Sequence, residues 1–282
     1  MKKIAVVTCS TSGLDYLPEK DRISILRMTV TFDQDEYLDY VDIKAEDFYQ
    51  KMLDNPNAEI HTSQIPVGKF VETFETLKQE GYEGIIVITI SSKLSGTYQG
   101  AVLAKDMVEG IDIEVIDSKS VSYGEAFLAV RALRMIEENK SLKEIKLELE
   151  LAIQKCQIYV LVDTLKYLVK NGRLSSTAGI LGSLLKIKPL LKITEEGYLK
   201  PYEKIRTTSK AQKRALEILF EETKNKDVEY FIAFTTNKEK AEEIKSEILA
   251  ERPGAFVTLI PLTPVVGAHA GPGTLGLGYS ER

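Results

Sequence analysis

Two histidines and two cysteines in 282 residues leave little material for metal or disulfide chemistry. His61, His269, Cys9 and Cys156 stand at wide spacing and match no zinc-ligand pattern, so no metal is expected. Both thiols are expected to be reduced and buried, in a reducing compartment. Positive charge is not in excess: 37 Lys and Arg face 42 Asp and Glu, a net charge of -5. That balance argues against a nucleic-acid surface. No apolar run is long enough to span a bilayer. The stretch Ile4 to Val7 is too short for a signal-peptide core, and no small-residue cleavage site precedes Cys9. It reads as a buried first strand of a cytoplasmic protein. The chain has no G-x-x-x-x-G-K-[ST] phosphate loop and no G-x-S-x-G nucleophile elbow.

What the chain does have is alternation. Ile4 to Thr8 is a β-branched run closed by the polar turn Cys9 to Gly13. Ile25 to Phe32 reads as a second strand, and Ala45 to Leu53 as a helix. Thr62 to Pro66 reads as a helix entrance, followed at helical spacing by Phe70, Phe74 and Leu77. Ile85 to Ile90 is unbroken apolar sequence, as in a strand covered on both faces. Ser91 to Gly96 is its turn and Thr97 to Val108 the next helix. Ile111 to Ile116 is a strand, and Ser122 to Glu138 a deeply packed helix. This order predicts a parallel sheet with helices on both faces. Ligands of such sheets lie at the carboxyl ends of strands, which singles out the turns after Thr8 and Ile90.

The second half is more mixed. Helices are expected over Leu142 to Ile153, Thr164 to Lys170, Ser176 to Leu185 and Ser209 to Thr223. Strands are expected over Ile158 to Val162, Ile187 to Ile193, Leu199 to Arg206, Val228 to Phe234 and Phe256 to Ile260. Thr236 and Glu239 have capping-box spacing ahead of a helix bearing Ala241, Ile244 and Ile248. The fold class is therefore α/β in two domains: an N-terminal parallel-sheet domain over 1–155 and a mixed α/β domain over 156–282.

The glycine-rich stretch Val266 to Tyr279 holds His269 in open backbone. Gly271 to Gly276 matches the dinucleotide fingerprint by letter, but the chain continues for only six residues, leaving no room for the helix and strand the motif needs. With the hydroxyl-rich turns around Thr62 and Ser95, this stretch suggests a grip on a small anionic group. Each piece also has an ordinary reading: Thr62 and Ser95 as helix caps, His269 as a structural histidine, Arg173 as a surface residue after a helix end. Ser95 with His269 is a further candidate pair for an acyl hydrolase or transferase, although no carboxylate is marked to orient the histidine.

Read together, Thr62-Ser-Gln64, Ser91 to Gln99, Val115 to Ser120, Val162 to Leu165, Asn171-Gly-Arg173, Leu181 to Pro189 and His269 to Gly273 resemble the DegV family of bacterial lipid-binding proteins, the fatty-acid-binding subunits of fatty acid kinase. The similarity covers essentially the whole chain. It implies a two-domain DegV-like fold with a long-chain fatty acid between the domains. The bound acid would be the only small-molecule ligand, with no cofactor. The implied role is that of a carrier rather than an enzyme. It presents the carboxylate to a separate ATP-binding kinase, which makes acyl phosphate for phospholipid synthesis, with a transient membrane-surface contact as a further partner. By motif match, Thr62 and Ser95 would hold the carboxylate, while Arg173, His269, Ser10, Thr11 and Thr97 would lie near the head group or the kinase-facing surface. The family's Asp-Ser-Thr after the first strand is here Cys9-Ser10-Thr11, which replaces a carboxylate by a neutral thiol. Candidates for lining the tail are the apolar residues of Ala178 to Leu190 and the helix Ala126 to Ile136, with core packing as the alternative. A protonated His269 or Arg173 is the expected cation beside a growing phosphate charge.

Overall fold

The computed structural model describes residues 3–174 and 188–282. Seven strands fall in the first half: β1 (Ile4–Cys9), β2 (Ser24–Leu26), β3 (Thr29–Phe32), β4 (Asp35–Leu38), β5 (Ile60–Ser63), β6 (Gly84–Thr89) and β7 (Asp112–Asp117). Four of them form a parallel sheet in the order β2-β1-β6-β7. Every residue of β1 and β6 is buried, as continuous apolar strands require when both faces are covered. Helices α1 (Ala45–Asp54), α2 (Val67–Gln79), α3 (Thr97–Lys105), α4 (Tyr123–Glu137) and α5 (Leu142–Ile153) accompany them. α4 lies across β1 and β6 and packs on α5. α5 begins at a capping box: Ser141 accepts from the Glu144 N–H while the Glu144 carboxylate accepts from the Ser141 N–H.

Two expectations for this half are corrected. Ile25 to Phe32 is not one strand, because the chain breaks at Arg27 and Met28 and its two pieces join different sheets. β2 pairs in parallel with β1, whereas β3 is the middle of a small antiparallel sheet ordered β4-β3-β5. Arg27 is drawn aside by a bidentate ion pair with Asp15 (2.5 and 2.7 Å). Thr62 does not sit in a helix entrance either. It is a strand residue of β5, paired with Val30, and α2 starts only at Val67.

The second half holds α6 (Lys166–Lys170), α7 (Thr208–Glu222), α8 (Lys238–Glu251) and α9 (Pro264–Ala270). Its strands are β8 (Cys156–Leu161), β9 (Leu190–Ile193), β10 (Leu199–Glu203), β11 (Val228–Phe234), β12 (Phe256–Pro261) and β13 (Leu275–Glu281). They form one sheet, β10-β9-β8-β13-β11-β12, in which only β11 and β12 run parallel. One face carries Tyr159, Tyr230, Ile232, Leu275 and Leu277 into a core with α7 and α8. The other face sends Ile158, Phe231 and Ala233 into the core shared with the first half. The predicted helix Ser176 to Leu185 lies outside the described residues.

The glycine-rich end is ordered as helix then strand, the reverse of a dinucleotide site. α9 starts with Pro264 in its first turn and packs on α1, α6, β3 and β5, so it belongs spatially with the small sheet. β13 fills the gap between β8 and β11, antiparallel to both. The capping box at Thr236 is not made. Asn237 occupies the N-cap without a side-chain cap, and Thr236 Oγ1 accepts from the Gly273 N–H (3.0 Å). Neither cysteine forms a disulfide. No helix among the described residues is long and apolar enough to cross a membrane.

Candidate functional site

A cavity of about 870 Å³, its open mouth included, lies between the carboxyl edge of the parallel sheet and the open face of the six-stranded sheet. Thr11, Thr62, Ser95, Arg173 and His269 all line it. Thr62 comes from β5 and His269 from α9, so the packing of that helix on that strand is what joins them. Thr62 Oγ1 and His269 Nε2 lie 2.8 Å apart. Burial, and next the Arg173 charge, push the imidazole down to about 4, so it is neutral at pH 7. The cation role expected of a protonated His269 is therefore corrected: among the described residues that line the cavity, Arg173 supplies the positive charge. His269 Nδ1 is buried without a partner. An orphaned N–H costs more than a bare acceptor, so we assign the proton to Nε2. His269 then donates to Thr62, and the Thr62 hydroxyl is free to donate into the cavity.

Arg173 follows α6, where Gly172 (φ 67°) turns the chain. Its Nε donates to the Leu94 carbonyl (3.2 Å) and its Nη1 to the Asn171 carbonyl (2.7 Å). Asn171 in turn donates to the Ala268 carbonyl on α9 (3.1 Å). No carboxylate pairs with Arg173 among the described residues, so its charge is held in place by dipoles and left for an anion. Ser95 Oγ lies 2.8 Å from Thr97 Oγ1 and accepts from the Thr97 N–H (3.3 Å). The turn that carries it is tied across the cavity, since Ser91 Oγ donates to the Gly197 carbonyl between β9 and β10 (2.8 Å). Gly197 has φ 90°, and a Cβ there would sit 2.2 Å from Ser91 Oγ.

The remaining expected residues are divided. Thr11 Oγ1 bonds to Glu125 Oε2 (2.7 Å) at the cavity wall. Ser10 is buried behind it, accepting from the Met28 N–H (3.3 Å), and Thr97 serves Ser95; neither lines the cavity. Cys9 also stays outside, its thiol pushed up by burial and then by the Glu125 charge. Ser95 is not hydrogen-bonded to His269, and no carboxylate orients that imidazole among the described residues, so the Ser95–His269 nucleophile pair is not assembled. The apolar residues of the helix Ala126 to Ile136 belong to the core beside the parallel sheet, and none of the stretch lines the cavity. Of the other tail candidates, Ala178 to Ile187 lie outside the described residues, and Leu190 is buried in the core beneath α7 and α8.

Three features were not foreseen. Glu125 is fully buried on α4, accepts from Thr8, Thr11 and the Cys9 N–H, and is pushed up to about 8 by burial. An acid in the first turn, directly ahead of the apolar run Ala126 to Val130, was its signal. Ser122 has φ 57° and ψ −133°, a conformation that costs a non-glycine residue about 1–3 kcal/mol. Gly276 and Gly278 alternate along β13 with Leu275, Leu277 and Tyr279, which face the opposite core. Phe231 fills the place of a Gly278 side chain, with its Cζ 2.2 Å from where that Cβ would be, while Gly276 lines the cavity floor. Period-two alternation was the signal for this strand.

The sequence profile of a family described as "Uncharacterised protein, DegV family" matches residues 3–282. A DegV domain-containing protein of Staphylococcus aureus is 37% identical over 290 residues, covering 99% of this chain and 98% of the relative. The chain belongs to the DegV family. Among solved DegV structures, DegV of Bacillus subtilis, described as a fatty acid binding protein, superposes with a TM-score of 0.92 at 32% identity over 100% of both chains. A stearic-acid-binding protein from Eubacterium ventriosum gives a TM-score of 0.88 at 26% identity, over 100% of this chain and 98% of its own. The α/β fold expected from the sequence, a parallel-sheet part followed by a mixed α/β part, is thus the DegV fold.

Proposed function

We propose that this DegV protein binds one long-chain fatty acid and offers its carboxylate to a separate ATP-dependent kinase, which converts it to acyl phosphate for phospholipid synthesis. One observation carries the reading: a mostly apolar cavity between the parallel sheet and the six-stranded sheet is lined by Thr62, Ser95 and Arg173 together. Burying about fourteen methylenes contributes on the order of 11 kcal/mol before ordering costs. The carboxylate needs partners, because an unpaired buried charge is strongly unfavourable. The Thr62 hydroxyl, braced by His269, and the Ser95 hydroxyl donate to it, with Arg173 as the nearby charge. Hydroxyl donors leave a carboxylate oxygen available for attack on phosphorus. The chain itself supplies no nucleotide loop, so the phosphoryl donor is assigned to the partner.

Native mass spectrometry of the purified protein tests the reading. The expected result is a mass increment of one long-chain acid, lost in organic solvent, and acyl phosphate formed only when both kinase and ATP are added. Protein that carries no lipid and binds none added would overturn it. Esterase activity that disappears in Ser95→Ala would instead favour the hydrolase.

A further inference from the structure

The cavity has a second polar point, away from the head group. Ser122 holds the N-cap place of α4, yet its side chain makes no capping hydrogen bond. Its positive-φ backbone is fully engaged: its N–H donates to the Thr11 carbonyl (3.1 Å), and its carbonyl accepts from the Glu125 and Ala126 N–H groups (2.9 and 3.1 Å). The hydroxyl alone is left over. Ser122 lines the cavity, is 4% exposed, and its Oγ is buried without a partner among the described residues. Thr11 lines the cavity beside it. Its bond to Glu125 leaves further hydrogen-bonding capacity, since a hydroxyl has one donor and two acceptor positions.

The position of Ser122 follows from the sheet. The adjoining Tyr123 ring packs on Phe231 with centroids 4.9 Å apart, and Phe231 pairs with Gly278. Thr274, which donates to the Ala270 carbonyl next to His269, lies four residues earlier along the chain. At about 3.4 Å per residue, the Thr274 and Gly278 positions of this chain segment are roughly 14 Å apart. The neighbouring wall of Val121, Ile158 and Phe231 is apolar. A plain hydrocarbon passing this point leaves the Ser122 hydroxyl buried and unbonded.

We propose that the cavity is built for an acyl chain carrying an oxygen substituent, a hydroxyl or ketone, well away from its carboxylate. Ser122 Oγ donates to that oxygen, and Thr11 Oγ1 accepts from it where it is a hydroxyl. This rests on the fatty-acid reading of the cavity. Competition against a fluorescent fatty acid on delipidated protein tests it, using stearate, stearate hydroxylated in mid-chain and stearate hydroxylated beside the carboxylate. In the wild type the mid-chain hydroxylated acid competes at least as well as stearate, and better than the acid hydroxylated beside the carboxylate. In Ser122→Ala and Ser122→Gly its affinity falls about tenfold, whereas that of stearate is unchanged or higher. Ser122→Gly relieves the positive φ and melts no lower than wild type, which separates loss of the hydroxyl from loss of folding. A wild type that disfavours the mid-chain hydroxyl as strongly as the variants do overturns the proposal. Failure of all three acids to displace the probe overturns the fatty-acid reading itself.

Discussion

Thr11, Ser95 and Ser122 reach the cavity from loops that follow parallel strands, whereas Ile158, Phe231, Ala233 and Gly276 reach it from the flat of a mostly antiparallel sheet. Loops at the carboxyl edge of a parallel sheet carry unpaired backbone groups and short polar side chains, so they present hydrogen bonds. The face of a sheet has its backbone satisfied within the ladder and presents only side chains, or, at Gly276, none. One wall therefore recognises oxygen and the other accommodates hydrocarbon. A cavity for a molecule with one polar end needs both kinds of wall.

That contrast can be broken first on the apolar side. Gly276→Leu places a side chain where the floor is open. It should exclude about three methylenes of tail, roughly 2.4 kcal/mol or some fiftyfold in affinity, with little change in Tm. A Cβ there meets Ala233 Cβ at 3.4 Å, Ile158 Cγ2 at 3.9 Å and the Ala233 carbonyl oxygen at 4.0 Å, all ordinary van der Waals contacts, so the strand tolerates the change. Gly278→Ala should do the reverse. Its Cβ would stand 2.4 Å from the Gln157 carbonyl oxygen, so it lowers Tm. Calorimetry and fatty-acid titration on both variants read the difference; equal behaviour would mean that β13 does not face the ligand as argued.

The polar wall should respond in affinity rather than in fold. Arg173→Ala removes the cation that lines the cavity among the described residues and weakens carboxylate binding by about 2 kcal/mol, roughly thirtyfold, while a fatty alcohol, which has no charge, is affected far less. Titration of both ligands checks this.

Behind that wall, Glu125 makes stability depend on pH. Its folded value of about 8 lies above the ordinary 4.5, so the folded state holds a proton that the unfolded chain releases between them. Its contribution is fully present below 4.5 and is lost as pH rises through about 8. Asp39, pushed up to about 7 by burial, acts in the same direction. His269 acts oppositely, stabilising above 6.5 and less so as pH falls toward about 4. Urea unfolding between pH 6.5 and 8 reads mainly the carboxyls, because the opposing His269 slope fades there as the unfolded imidazole loses its last proton. Stability should fall by up to about 1.4 kcal/mol per pH unit for Glu125, and Glu125→Gln should flatten the slope. The smallest effect is expected for Thr62→Val, which loses one hydroxyl donor and about 1 kcal/mol, near fivefold in affinity, with the tail still bound.

Much of the fold could be read along the chain because burial imposes a period. Leu142–Ile153 and Val228–Phe234 match expectation residue for residue, one through helical spacing and the other through the apolar run Tyr230 to Phe234. The errors fall where the period was interrupted or disguised. Arg27 hid the break between β2 and β3, and the glycines of β13 looked like a loop until their alternation was matched with a neighbour. The hydroxyl turn at Ser95 was recognised by its residues, whereas Ser122 carried no local mark, because its strain and its idle hydroxyl exist only in the folded chain.

Sequence alone determined the class of each element and the kinds of side chain available, since both follow from hydrophobic period and turn chemistry within a few residues. Only the tertiary structure decided that Thr62 would meet His269 across 207 positions, and that His269 would be neutral near an Arg173 that no carboxylate pairs with among the described residues. Those outcomes depend on which faces pack together and how much water they exclude, and neither quantity is encoded in any single stretch of the chain.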